Sequence, residues 1–129
     1  MKVLAEISVG ELFDKITILN IKIKKIEDQQ KLKNILKELN TLNEQANKID
    51  IPDKLSLDYQ VKKLQSINEE LWDIENFKRE CEANKDFSEN FIKLSRDVHI
   101  LNDDRAQIKL KINELTGSKI KEIKEYTSY

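Results

Sequence analysis

Turn-forming residues are almost absent from this sequence. Its 129 residues include only two glycines and one proline. The strands of a sandwich or barrel are joined by frequent tight turns that depend on these residues, so the sequence disfavours a β-fold. Charged residues make up 36% of the chain, which suits the solvated faces of helices. We therefore predict an all-α protein.

Helix caps and apolar spacing define the first three helical segments. Ser8 and Glu11 stand at capping-box spacing, which indicates a helix start. A break near residues 27–30 separates this helix from a second one, and Pro52 marks the loop that follows. A third helix is predicted from about Leu57 to Glu82. The packed face of the first helix shows steps of three and four residues and comprises Val9, Leu12, Ile16, Leu19, Ile23 and Ile26.

The fourth predicted helix begins near Asp86 and ends at Gly117, a residue suited to a left-handed C-cap. The stretch "SKIKEIKEY" after it predicts a short helical tail. Long helices joined by short turns bury their apolar faces most simply as an antiparallel bundle. We expect a single domain over residues 1–129, built as an antiparallel bundle of about four long helices with this tail.

Composition also bears on the kind of partner and site. The formal net charge of −1 argues against a dedicated nucleic-acid binder. The most apolar stretch, "ITILNIKI", is far shorter than a membrane span. A lone Cys81 indicates a reducing cytoplasm, and a single histidine, His99, cannot build a histidine-rich metal site. We expect a cytoplasmic protein with no nucleic-acid or membrane partner and no metal or cofactor.

An arginine occupies a core position in the fourth helix. Its apolar face continues in steps of three and four only if residue 105 belongs to it. A guanidinium cannot be discharged by burial, so Arg105 requires anionic or carbonyl partners. The apolar residues that define this face are Phe87, Phe91, Leu94, Val98, Leu101, Ile108, Ile112 and Leu115.

Counting from the turn near Lys85 places Arg105 level with Asn68 and Glu69 on the third helix. A second count places it level with Thr17 and Asn20 on the first helix. We therefore predict a polar layer of Arg105, Asn68, Glu69 and Asn20. Such a layer is either a buried salt bridge that fixes helix register or an open pocket for a small anion. The pocket hypothesis assigns ligand binding to Arg105, Asn102, Lys109, Lys15, Asn20, Asn68 and Glu69.

Two enzyme families offer partial comparisons. The run "EELWD" is similar to the first half of the magnesium-binding motif of helical nucleotide pyrophosphohydrolases, but the second half is missing. The spacing of Arg105 and the lysines after it is similar to that of helical chorismate mutases, although their first-helix arginine is replaced at best by Lys15 or Lys22. We assign no catalytic residue and leave enzyme activity open.

Three further patterns concern surfaces. Ile18 and Ile21 lie opposite the packed face of the first helix, so we predict that this helix is central or forms a homodimer contact.

Residues 15–37 carry seven lysines against two acids, a net charge of +5, and residues 68–90 carry eight acids against three bases, a net charge of −5. We interpret these as solvated faces rather than a binding patch. The aromatic residues near the last turn predict a core plug of Trp72, Phe77, Phe87 and Phe91.

Three stretches resemble one family over nearly the whole chain: "EISVGELFDKITIL", "ELWDIENFKRE" and "FIKLSRDVHILNDDRAQIKLKINELTGS". They are similar to an uncharacterised family of short bacterial and phage proteins, a domain of unknown function. The resemblance implies an accessory role beside sugar-transfer or surface-polysaccharide proteins. We expect a non-catalytic interaction module with a protein partner or a second copy. The alternative is an anion-binding domain or enzyme, with a carboxylate, phosphate or nucleotide-sugar ligand held by Arg105.

Overall fold

The protein is described by a computed structural model covering residues 1–129. It contains four helices and no strand, which confirms the all-α prediction. The predicted capping box forms, because the Ser8 hydroxyl accepts a hydrogen bond from the Glu11 amide at 3.0 Å. No helix combines the length and apolar character needed to cross a membrane. In chain order the helices are α1 (Val9–Lys25), α2 (Gln29–Asn47), α3 (Lys54–Ala83) and α4 (Glu89–Thr116).

Helix α1 is the centre of the bundle. It packs against each of the other three helices, whereas α2 packs against α1 alone. The predicted apolar face of α1 meets α2 in a core of Leu12, Ile16, Leu19 and Leu39. A second core, mainly between α3 and α4, contains Leu57, Leu64, Ile108 and Ile112. Ile21 is fully buried, so the prediction of a central first helix is confirmed.

Cross-helix contacts fix the directions of the helices. Gly10 bonds to Asn113 and Asp14 bonds to Arg105, so α1 and α4 run in opposite directions. Asp14 also accepts a hydrogen bond from Asn68, and Lys25 lies 3.8 Å from Asp73, so α1 and α3 run in the same direction. The chain therefore alternates up and down through its four helices, as in the predicted antiparallel bundle.

The α3–α4 hairpin is much longer than α1. At about 1.5 Å per residue, the 17 residues of α1 span about 25 Å, and the 30 residues of α3 span about 45 Å. The Lys25–Asp73 contact lies near the end of α1. Beyond it, residues 74–100 form a two-helix projection that we call the distal hairpin. From residue 74 to residue 98, no side chain forms a hydrogen bond or ion pair outside the hairpin.

The predicted helical tail is wrong. Residues 118–129 contain no helix and run back along α4. Glu122 accepts a hydrogen bond from Lys109 at 3.0 Å, and the Tyr129 hydroxyl donates to Asp103 at 2.6 Å. These polar contacts hold the tail along α4. A helical tail would need to bury an apolar face, but Ile123 remains exposed.

The start of α4 also differs from the prediction. Ser88 is the N-cap residue, and the Asp86 carboxylate instead accepts a hydrogen bond from the Ser88 amide at 3.1 Å. The preceding turn passes through Lys85 at φ 54°, a left-handed conformation, and is closed by a 2.8 Å bond from the Asp86 amide to the Cys81 carbonyl. The turn therefore takes two more residues than the sequence pattern suggests.

The predicted aromatic plug is also wrong. Phe77 is 51% exposed and Phe87 is 52% exposed. Phe87 and Phe91 contact each other edge to face with ring centroids 5.4 Å apart. No third helix reaches this level, so the rings have no core to close.

Candidate functional site

A buried carboxylate lies at the centre of the bundle. The Asp14 side chain is only 2% exposed. Helical geometry places it there, because Gly10, Asp14, Thr17 and Ile21 follow steps of four, three and four residues. These residues form the α1 face that meets α3 and α4, opposite the face that packs on α2.

Arg105 binds Asp14 through two parallel hydrogen bonds. Its Nε donates to Asp14 Oδ1 at 2.9 Å, and its Nη2 donates to Asp14 Oδ2 at 2.5 Å. A planar guanidinium suits this bidentate arrangement with a carboxylate. Its third nitrogen, Nη1, donates to the Asn102 side-chain oxygen at 3.3 Å. The prediction that Arg105 points inward toward an anionic partner is confirmed.

Asn68 links the same carboxylate to α3. Its side-chain nitrogen donates to Asp14 Oδ1 and to Thr17 Oγ1, each at 2.9 Å. The Thr17 hydroxyl in turn donates to the Asp14 backbone carbonyl at 2.8 Å. Asn68 and Thr17 are both buried, so their hydrogen bonds satisfy polar atoms that water does not reach.

A second cation, Lys109, is buried beside this group at 7% exposure. Its ammonium donates to Glu11 at 2.6 Å and to Glu122 at 3.0 Å, and lies 3.9 Å from Asp14. We call Asp14, Thr17, Asn68, Arg105 and Lys109 the polar cluster. Its two cations face the carboxylates of Asp14, Glu11 and Glu122, so these five charged groups have a net charge of −1.

The ionisation states of the polar cluster follow from these contacts. Burial raises the pKa of Asp14, but the hydrogen bonds from Arg105 and Asn68 outweigh it and hold the pKa below its usual value. The bond to Asp14 raises the pKa of Arg105. Burial lowers the pKa of Lys109, and its bonds to Glu11 and Glu122 more than reverse that effect. All three groups are therefore charged at neutral pH, whereas general acid–base catalysis works best with a pKa near it.

Helices α1 and α4 approach each other closely next to the polar cluster. The Gly10 amide donates to the Asn113 side-chain oxygen at 2.7 Å, and the Val9 amide donates to Ser118 Oγ at 3.1 Å. A Cβ atom on Gly10 would lie 2.5 Å from the Lys109 carbonyl oxygen. Only glycine therefore allows α1 to approach α4 this closely.

The family described as "Family of unknown function (DUF6165)" matches residues 1–129. The chain belongs to this family. No curated protein and no solved structure matches it. For this DUF6165 chain, the chemistry of the site therefore rests on its own geometry.

The structure brings together four of the seven predicted ligand-binding residues, namely Arg105, Asn68, Lys109 and Asn102. It does not bring the other three into the polar cluster. Lys15 is exposed and lies 3.7 Å from Glu11. Whether any of these residues binds a ligand stays a prediction.

Two members of the predicted polar layer are wrong. Glu69 accepts a hydrogen bond from Gln65 at 3.1 Å and lies 3.6 Å from Lys24 near the end of α1, away from Arg105. Asn20 is half-buried and is not among the partners of Arg105. The carboxylate that binds Arg105 comes instead from Asp14, which lies three residues before Thr17.

The carboxylates compared with a magnesium motif also have other partners. Glu69 faces Lys24, and Asp73 lies 3.8 Å from Lys25. No group of three or more potential metal-binding side chains is found in the structure.

Sequence reasoning missed Asp14, Gly10, Asn113 and Glu11. A signal was present, because a glycine in the first turn of a helix lowers helix stability and therefore suggests close packing. Asp14 follows Gly10 by four residues and lies on the same helix face. Reading this face as a second packed surface would have indicated the buried carboxylate.

Proposed function

We propose that this protein is a non-catalytic helical interaction module that binds a protein partner through its distal hairpin. The observation that carries the proposal is the exposure of large apolar side chains there. Phe77, Phe87 and Ile92 are each more than half exposed, at 51%, 52% and 54%. Large apolar side chains exposed in one region of a folded protein are typical of interaction sites.

The contacts of the polar cluster support a structural role for it. The carboxylate of Asp14 already occupies two nitrogens of Arg105, and Lys109 is held by two further carboxylates. A surrounding charge of −1 disfavours another anion. These contacts therefore favour a buried ion pair that fixes helix register over a pocket for a small anion.

The proposal includes a setting for the module. The buried, unpaired Cys81 supports a reducing cytoplasm, and the net charge of −1 supports a partner other than nucleic acid. The resemblance of the motifs supports a bacterial or phage source. It is also the support for an accessory role beside sugar-transfer or surface-polysaccharide proteins.

Site-specific photo-crosslinking in cells tests the proposal. A photoreactive phenylalanine analogue replaces Phe77 in the distal hairpin or, as a control, Glu44, an exposed polar residue of α2 outside the hairpin. We expect a crosslinked protein from position 77 and none from position 44. Absence of a product at position 77, or identical products at both positions, would contradict the proposal.

A further inference from the structure

We infer that the distal hairpin binds a second copy of this chain in the antiparallel direction. We call residues 80–90 the tip and residues 22–33 the junction between α1 and α2. In this arrangement the tip of each copy contacts the junction of the other. The inference rests on the proposed function and names its partner. It is supported by the space beside the hairpin and by the charges at its two ends.

The space beside the distal hairpin matches a second hairpin. Helix α1 ends and α2 begins near the Lys25–Asp73 contact. The buried Thr17–Asn68 contact places Lys25 level with about residue 76 of α3, so residues 77–84 continue for about 12 Å beyond α1 at about 1.5 Å per residue. A two-fold axis across the middle of this projection would lay two hairpins side by side. Each tip would then reach the level at which α1 of the other copy ends.

The two ends of this projection carry opposite charge, and two of the junction lysines already face acids of α3. The tip contains Glu80, Glu82, Asp86 and Glu89 against Lys85, a net charge of −3. The junction contains five lysines against two acids, a net charge of +3. Antiparallel docking therefore places unlike charges together at both ends of the interface.

These charges are available for a partner. None of the four acids of the tip forms an ion pair within the chain, and neither do Lys22, Lys31 and Lys33 of the junction. Lys24 and Lys25 alone face acids of α3, at 3.6 and 3.8 Å.

Antiparallel docking also covers the exposed apolar residues. Phe77 and Ile92 belong to the two helices of the projection, and Phe87 lies in its turn. Parallel docking would cover similar side chains but would bring two tips of charge −3 together, which opposes association. A two-fold pair is closed, so it does not extend into a filament.

Sedimentation equilibrium of the full chain and its charge reversals tests the inference. The tip reversal is Glu80→Lys with Glu82→Lys, and the junction reversal is Lys31→Glu with Lys33→Glu. All four side chains are exposed, so the variants are expected to keep the helical circular dichroism of the wild type. The control is Lys62→Glu with Lys63→Glu, exposed positions on α3 outside the distal hairpin.

We expect a wild-type dimer and a dimerisation constant weakened about tenfold or more by each reversal alone. An equimolar mixture of the tip-reversed and junction-reversed chains restores complementarity at both contacts, so it should regain affinity to within about threefold of the wild type. The control should dimerise like the wild type. A monomeric wild type, or a dimer that both reversals leave unchanged, would overturn the inference.

The crosslink at position 77 separates this inference from the proposed function. A product of twice the chain mass supports the second copy. A product with a different protein overturns self-association and leaves the interaction module standing. Absence of any product overturns both.

Discussion

The two ends of the bundle treat polar and apolar side chains in opposite ways. Where α1 packs between α3 and α4, the charged side chains of Asp14 and Lys109 are buried. In the distal hairpin, Phe77 and Ile92 are exposed. Residue type alone therefore does not decide burial in this protein. For Asp14 and Phe77 the difference follows from whether a third helix packs at that level.

The buried charges explain how α1 keeps its register against α3 and α4. One helical turn is about 5.4 Å, and a slip of that size would separate Arg105 from Asp14 and Asn68 from Thr17. An apolar contact tolerates such a slip more easily, because it is not directional. Polar residues at core positions are known to specify register in this way. The distal hairpin has no comparable contact to a third helix.

The largest expected effect is the loss of the central carboxylate. Asp14→Ala leaves the half-buried Arg105 and the buried Asn68 without their shared partner, so we expect the free energy of unfolding to fall by about 3 kcal/mol, the lower end of the range for a broken buried ion pair. Urea denaturation of dilute protein measures this change. Phe77→Ser in the distal hairpin is the control, and its effect should stay within about 0.5 kcal/mol. Equal losses in the two variants would remove the distinction between the ends.

A smaller loss is expected from Gly10→Ala. The new methyl group would meet the Lys109 carbonyl oxygen at 2.5 Å and Asn113 Oδ1 at 3.0 Å. Overpacking of this kind costs about 1–3 kcal/mol, against about 1 kcal/mol that alanine gains in helix propensity.

Gly117→Ala provides the comparison for that variant, since its Cβ would have no neighbour within 4 Å and its cost would come from φ 63° alone. We expect about 1–2 kcal/mol from this backbone strain. Thermal melts of both variants check the prediction. A Gly10→Ala variant more stable than the wild type would show the gain in helix propensity without a clash, and would mean that α1 does not approach α4 as closely as the structure shows.

The fold follows from local signals that the sequence contains. Ser8 caps α1 and Gly117 ends α4, as their positions predict, and the position of Arg105 follows from the spacing of its apolar neighbours. The partner of Arg105 was harder to predict, because no single turn joins α1 to α4 and counting along the chain does not determine the offset between them. Asn20 lies six residues after Asp14, so the prediction was in error by almost two helical turns.

The exposure of the distal hairpin could not be predicted from its own residues. Phe77 and Phe87 have the composition of a core, and their exposure depends on where α1 ends. The tail shows the same limit. Residues 119–125 alternate lysine, isoleucine and glutamate in a way that suits a helix, yet the contact between Glu122 and Lys109 holds them along α4. Both outcomes depend on distant parts of the chain.

The smallest expected effect is a dependence of stability on acid. The folded pKa of Asp14 is below its usual value of 3.8. The corresponding stabilisation is therefore complete above the unfolded pKa and is lost as pH falls through the folded one. Unfolding free energies measured from about pH 6 to about pH 3 should decrease for the wild type. The free energy of unfolding of the Asp14→Asn variant should decrease less steeply over the same pH range. Identical slopes would contradict an ionised, hydrogen-bonded Asp14.

One hydrogen-exchange experiment examines both ends of the molecule at once. Amide exchange is followed at low and high protein concentration. Amides near the polar cluster, in residues 14–21 and 105–113, should exchange slowest at both concentrations, because their opening requires the cluster to break. Amides of residues 74–100 should exchange faster in dilute protein and slow down as the concentration rises and the distal hairpin becomes covered. Equal protection at both ends in dilute protein, with no dependence on concentration, would contradict the division between a structural polar cluster and a binding hairpin.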